Sequence, residues 1–264
     1  MARTTPLADI AIHESRFRAY AESRISRAAT DVEPLHLKLK HTFEVLSHAR
    51  RIAAGEGFAP RMARICSLSA LYHDIARFDQ YLQYGTFRDA QSRNHGLWAV
   101  AILREEKFLE GEDPEIRRRT LAAIAIHNRL AVPAAVQGDC RRIANALRDA
   151  DKLDILRVMD AHLSGPGPYN PTVILSLPDD PELVSSRTVH CALSHEPAAY
   201  GDLLSVNDFR LLLGTWLFAM NFATSKRLFL EAGHAANLVR ALPETGAYGE
   251  ARAEILACLA GHRG

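Results

Sequence analysis

The sequence is poor in the features that would tie it to a membrane, a secretory route or a nucleotide loop. It has 4 cysteines in 264 residues (Cys66, Cys140, Cys191 and Cys258) and no CxxC pair, which argues against a zinc ribbon or a disulfide framework. Four buried thiols in a reducing compartment are expected instead. The longest apolar run, Leu211 to Met220, is too short to span a bilayer and reads as a buried core helix. The opening stretch MARTTPLADIAIHESRF reaches Asp9 and Glu14 before any long apolar segment, so no signal-peptide core is expected. An excess of one charge is also missing. With 32 Lys+Arg against 31 Asp+Glu and a formal net charge of +1, the chain lacks the basic footprint that long nucleic acid demands. No G-x-x-x-x-G-K-[ST] loop, no G-x-S-x-G elbow and no recognisable cysteine nucleophile occur, which sets aside a P-loop ATPase and the common serine and cysteine hydrolases. A cytoplasmic protein with no membrane partner is the expectation.

What remains is an ordinary globular composition, 48% hydrophobic and 24% charged, able to bury a sizeable core. Strand signals are scarce. Apolar residues recur at helical spacing between caps and stops that bracket about eight helical segments, so the fold class is all-α, with residues 1–264 forming a single helical domain. Thr5-Pro6 and Glu33-Pro34 open the first two helices, the second stopping near Gly55 and Gly57. Pro60 begins a third, unbroken through RMARICSLSALYHDIARF, with Ile65, Leu68, Leu71, Tyr72 and Ile75 as its apolar stripe. Ser92 or Asn94 caps a helix from His95 to about Leu109, and Asp113-Pro114 starts one ending near Asn128. Asp139 caps a long one ending near Ser164. The segment from Gly165 to Pro181, rich in proline and glycine, reads as a loop. Beyond it, helices are expected at about 182–195, 206–223 and 225–241, with a last one near the C-terminus. Trp216, Phe218, Met220 and Phe222 read as core, and the late helices are candidates to roof a site or form a homodimer face.

Of the 12 histidines, six (His13, His36, His48, His162, His234 and His262) read as surface or capping residues. His73-Asp74 alone carries little, since composition predicts about 0.7 such dipeptides by chance. It has company, however. His41, His73-Asp74, His95, His127 and Asp151 fall on different helices or their ends, in apolar flanks where an isolated polar group costs a few kcal/mol. A divalent cation satisfies several such groups at once.

The order H…HD…H…H…D, in the contexts LKHTFEVL, LYHDIARF, SRNHGLWAVAIL, AIAIHNRL and LRDADKLDI, resembles the HD-domain superfamily of metal-dependent phosphohydrolases over about residues 34–160. The resemblance implies an HD-domain-like helical bundle, here with additional C-terminal helices over about 182–264. It implies that His41, His73, Asp74 and Asp151 form the common metal set, with Asp74 bridging if two ions bind, and that His95 and His127 match the extra histidines of two-metal members. The cofactor is then one or two divalent ions from among iron, manganese, nickel, cobalt and zinc.

Two such ions about 3.5 to 4 Å apart acidify a shared water and clamp an in-line displacement at phosphorus, a bridging hydroxide being the nucleophile. The implied activity is therefore a phosphohydrolase or phosphodiesterase acting on a small phosphate ester, foremost a nucleotide. Asp74 and Arg77 are the catalytic candidates. Arg77, one helical turn after His73, is placed either to reach a phosphate or to orient Asp74. Arg88 and Lys152 are further substrate-binding candidates, with Arg93 beside them. Of Asp149 and Asp154, one is expected to support a ligand from behind and the other to be solvated. Two alternatives stay open: a mixed-valence di-iron oxygenase of the same superfamily, and a metal-stabilised sensor that binds a nucleotide without turnover.

Overall fold

In a computed structural model describing residues 10–28, 31–165, 167–171 and 173–261, all regular elements are helical. The Thr5-Pro6 signal and His262 lie outside the described residues. The chain divides into two compact units, Met1–Asp154 and Ile155–Gly264.

The first unit contains α1 (Ala11–Ile25), α2 (Glu33–Gly55), α3 (Pro60–Tyr72), α4 (Ala76–Tyr84), α5 (His95–Glu105), α6 (Pro114–Ile126) and the beginning of α7 (Gly138–Leu163). Helix α3 is its hub. From Ile65 to Tyr72 every residue is buried, as expected of a helix packed on all sides, and its neighbours are α2 and α6. Pro34, Pro60 and Pro114 occupy first turns, where no backbone donor is lost. Asp113 accepts from the Glu115 and Ile116 amides, and Asn94 from Leu97. Asp139 lies inside the first turn of α7 rather than at its cap.

Two expected helix lengths are corrected. The run from Pro60 to Phe78 is not continuous: it tightens into a turn at His73-Asp74-Ile75, where Ile75 N–H reaches the Tyr72 carbonyl (3.3 Å) and Arg77 N–H the Asp74 carbonyl (2.9 Å). Helix α5 stops at Glu105 rather than near Leu109 because Lys107 adopts φ 53° and closes a Schellman motif, with Phe108 N–H on the Leu103 carbonyl. No glycine marks that stop.

Between α6 and α7 the chain has no regular structure, and two arginines of α7 hold it. Arg148 donates to the carbonyls of His127 (2.7 Å), Arg129 and Leu130 (2.9 Å). Arg141 donates to those of Val132 (3.5 Å), Pro133 (2.9 Å) and Val136 (2.8 Å). These replace the donors that a helix end leaves missing.

The second unit holds α8 (Ser186–Leu193), α9 (Val206–Thr215), α10 (Ala223–Ala232), α11 (His234–Arg240) and α12 (Gly249–Gly261). Ser185 and Ser205 cap α8 and α9. Residues 165–185 are irregular where described, as the proline and glycine content implies. The stretch expected as one helix over 206–223 changes to a 3-10 turn at Trp216–Ala219, and the one expected over 225–241 breaks at Gly233, φ 73°. Leu211, Leu212 and Leu213 are fully buried and Trp216 and Met220 nearly so, whereas Phe218 and Phe222 are half-buried. Around Gly214, α9 meets α11 and α12 so closely that an added Cβ would lie 2.6 Å from Val239 Cγ2 and 2.9 Å from Ile255 Cγ2.

Among the described residues no helix is long and apolar enough to cross a membrane. Cys66 and Cys191 are buried as expected, but Cys140 and Cys258 are half-exposed. His13, expected at the surface, is buried between the Tyr72 hydroxyl (3.0 Å) and Glu112 (2.9 Å), and Glu112 is also held by Arg64.

Candidate metal centre

All six residues singled out as ligands come together within the first unit. The turn after α3 supplies His73 and Asp74, α2 supplies His41, the start of α5 His95, the end of α6 His127, and α7 Asp151. Asp74 stands in the middle. Its Oδ2 faces His41 Nε2 (3.8 Å) and His73 Nε2 (3.7 Å). Its Oδ1 faces His95 Nε2 (3.4 Å) and His127 Nε2 (3.9 Å). Asp151 Oδ1 completes the first half, 3.1 Å from His41 Nε2 and 3.7 Å from His73 Nε2. Two groups of donors, His41-His73-Asp74 and Asp74-His95-His127, thus share one carboxylate.

Each imidazole is turned by what holds its other nitrogen. His73 and His127 end α3 and α6 alike: Nδ1–H donates to the carbonyl three residues back, Ala70 (2.8 Å) and Ile124 (2.7 Å) respectively. A carbonyl only accepts, so the hydrogen resides on Nδ1 and Nε2 presents a bare lone pair. His41 Nδ1 is 2.6 Å from Asp154 Oδ2, and His95 Nδ1 is 2.7 Å from Asp89 Oδ2. Carboxylate and carbonyl partners of this kind orient metal-binding histidines.

The electrostatics follow from burial and crowding. Burial alone would raise the Asp74 carboxyl, yet Lys38, His73, Arg77 and His95 hold it well below the usual carboxylate range. Asp151 is opposed by burial in the same way and held low by His41 and His73. Burial, then the neighbouring His95 and His73, push His127 down to about 3. His95 is lowered by burial and Arg77. Against burial and Lys38, the carboxylates of Asp151 and Asp154 raise His41.

This donor set fits a transition ion. The Nε2 atoms of His41 and His73 are buried without a hydrogen-bond partner, a costly state for a polar atom. The Nε2 atoms of His95 and His127 face each other at 2.9 Å although both Nδ1 atoms are engaged elsewhere. Lone pairs so opposed, with two carboxylates beside them, suit a cation bound by mixed imidazole and carboxylate donors. The cluster is closed except at Asp151, whose side chain is 22% exposed.

The other sequence candidates divide. Arg77 is engaged with Asp74 Oδ1 (3.3 Å), Gln80 Oε1 (2.7 Å), the Phe87 carbonyl and Asp89 Oδ1 (3.1 Å). Lys152 is half-buried next to Asp151, and burial draws its pKa down to about 8. Arg88 is exposed, and Arg93 stacks over Trp98. Asp154 supports His41, as expected of one of the pair, but Asp149 is fully buried rather than solvated. Four further residues went unread, Lys38, Gln80, Asp89 and Asn128. Lys38 Nζ is 2.7 Å from Asp74 Oδ2, one helical turn before His41. Asp89 gathers His95, Arg77, Gln80 and Asn128, and Asn128 donates to it at 3.0 Å. The i−3 spacing from His41 could have flagged Lys38. Nothing in the sequence shows that the connection bearing Asp89 folds back on α5.

No curated protein and no solved structure matches the chain. Residues 39–160 match the family model of the HD domain. That span contains all six clustered candidate residues, and both the match and the helical fold are consistent with the resemblance: over residues 39–160 the chain is similar to the HD domain.

Proposed function

We propose that the protein is a dinuclear metal phosphohydrolase acting on a small phosphate ester, with nucleotides as the first substrate class. The observation that carries this reading is the two-sided use of Asp74, with one oxygen toward His41 and His73 and the other toward His95 and His127. A carboxylate so placed can serve two ions. Bound there, divalent ions supply positive charge that polarises a phosphoryl oxygen and acidifies water.

The chain's own residues do the rest. Arg77 keeps the Asp74 carboxylate ionised and oriented, working from behind through Asp89 and Gln80. Two cations stand close to the cluster in contact or in sequence: Lys38 lies on Asp74 Oδ2, and Lys152 follows Asp151. We assign these lysines to the substrate phosphate, with Arg88 as an exposed outer contact. Closure of the remaining walls keeps the reacting centre poor in water, where such charges act more strongly.

The test is phosphate release from a panel of nucleotides and phosphomonoesters by chain reconstituted with manganese, iron, cobalt, nickel or zinc. Turnover of one compound, lost in Asp74→Asn and strongly reduced in His95→Ala, is the expected result. Oxygen consumption with an iron-loaded sample and no phosphate release would replace this reading with an oxygenase. Saturable nucleotide binding without turnover would replace it with a sensor.

A further inference from the structure

In the second unit three side chains of different chemistry meet at one point of the surface: His195, Glu254 and Cys258. Glu254 and Cys258 stand one turn apart on α12, beside the stripe Ala251, Ile255 and Leu259 that faces inward, so both project from the same shoulder of the helix. His195 follows α8 in a Schellman motif, its N–H on the Ala192 carbonyl and the Glu196 N–H on that of Cys191 (2.9 Å). Its φ is 56°. Glycine is the usual occupant of that left-handed position, and here an imidazole takes it. The ring stacks on Phe218 with centroids 5.0 Å apart, which holds its orientation. His195 Nε2 is 2.6 Å from Glu254 Oε1 and 3.6 Å from Cys258 Sγ, and Sγ is 3.7 Å from the same Oε1. Helices α8 and α12 pack directly on each other, so the three donors belong to one scaffold.

We infer that His195, Glu254 and Cys258 form a second metal site, sharing no residue with the HD cluster, that takes one zinc-class divalent ion. Sulfur, imidazole and carboxylate together make a borderline-soft donor set suited to zinc or cobalt, whereas calcium and magnesium prefer oxygen alone. On binding, the Cys258 thiol releases its proton to solvent, and thiolate and carboxylate balance the charge of the ion. Three protein donors at a partly exposed position leave coordination open to water or to a ligand from solution.

Cobalt distinguishes this site from the HD cluster, because thiolate ligation gives a near-ultraviolet charge-transfer band that histidines and aspartates cannot give. Full-length chain stripped of metal and titrated with cobalt is expected to develop that band. It should saturate at one equivalent per thiolate site, bleach on adding zinc, persist in His41→Ala and vanish in Cys258→Ser. In parallel, zinc should slow alkylation of Cys258 by iodoacetamide at least tenfold, read by mass spectrometry on the unmutated chain. Absence of the band, its survival in Cys258→Ser, or alkylation indifferent to zinc would overturn the assignment and leave only a surface His-Glu hydrogen bond near a thiol.

Discussion

Each of the four site histidines commits its Nδ1 to a different acceptor, and that choice determines what Nε2 can do. For His41 the acceptor is Asp154, fully buried and 2.6 Å away. Asp154→Asn keeps the shape but lets an amide N–H face Nδ1, which drives the imidazole hydrogen onto Nε2 and blocks the ligand atom. The expected outcome is a metal affinity about 10- to 100-fold weaker with helical content unchanged, measured by competition against a chromophoric chelator. The candidate ligands that the fold brings together were legible as polar residues in apolar flanks, completed by a resemblance in their order along the chain. Their anchors were legible only in part. Asp154 stands three residues from Asp151 and could be suspected. The carbonyls of Ala70 and Ile124 cannot, because backbone groups carry no residue identity, and Asp89 reaches the site through a fold in a connection that has no periodicity.

At the scale of elements, starts were more readable than stops. Proline and capping side chains mark the beginnings of α2, α3, α6 and α9 through local signals that depend on neighbours a few residues away. Stops depend on left-handed residues that need not be glycine, as Lys107 and His195 illustrate, and on side chains that take over a carbonyl, as His73 does. Helix α3 was therefore read through its own end, and the HD pair was placed inside a helix instead of on the turn that aims it. Close approach between elements is equally hidden. Gly214→Ala is expected to destabilise the second unit by about 1–3 kcal/mol, since the new methyl must displace the branched side chains of Val239 and Ile255. Urea unfolding midpoints of the variant and the parent would measure it. An unchanged midpoint would mean that α9 can shift freely against α11 and α12.

For the molecule as a whole, the all-α class followed from pattern and the HD span from a family resemblance, while stability as a function of pH depends on burial that neither reports. Burial lowers His13 below the ordinary 6.5, with Arg64 and Arg16 adding to the effect and Glu112 opposing it. Arg64 and His13 lower Glu112 below 4.5. Below pH 6.5 the unfolded chain takes up a proton at His13 that the folded one resists, so stability falls as pH falls from that point. Glu112 contributes fully above 4.5 and loses its contribution as pH drops through its depressed folded value. Unfolding midpoints at pH 7 should therefore exceed those at pH 5.5, with a smaller difference in His13→Gln; equal differences would assign the slope to other groups.

The segment suspended from Arg141 and Arg148 has a related global meaning. Five of the six carbonyls these arginines hold follow His127, and the chain there has no ladder of its own. Leu130 at its crest is 85% exposed. Its order is thus borrowed from α7, and such a segment opens long before the core around α3 does. A trace of protease added to the native chain is expected to nick between His127 and Gly138 first, leaving fragments that part only when the rest of the fold gives way.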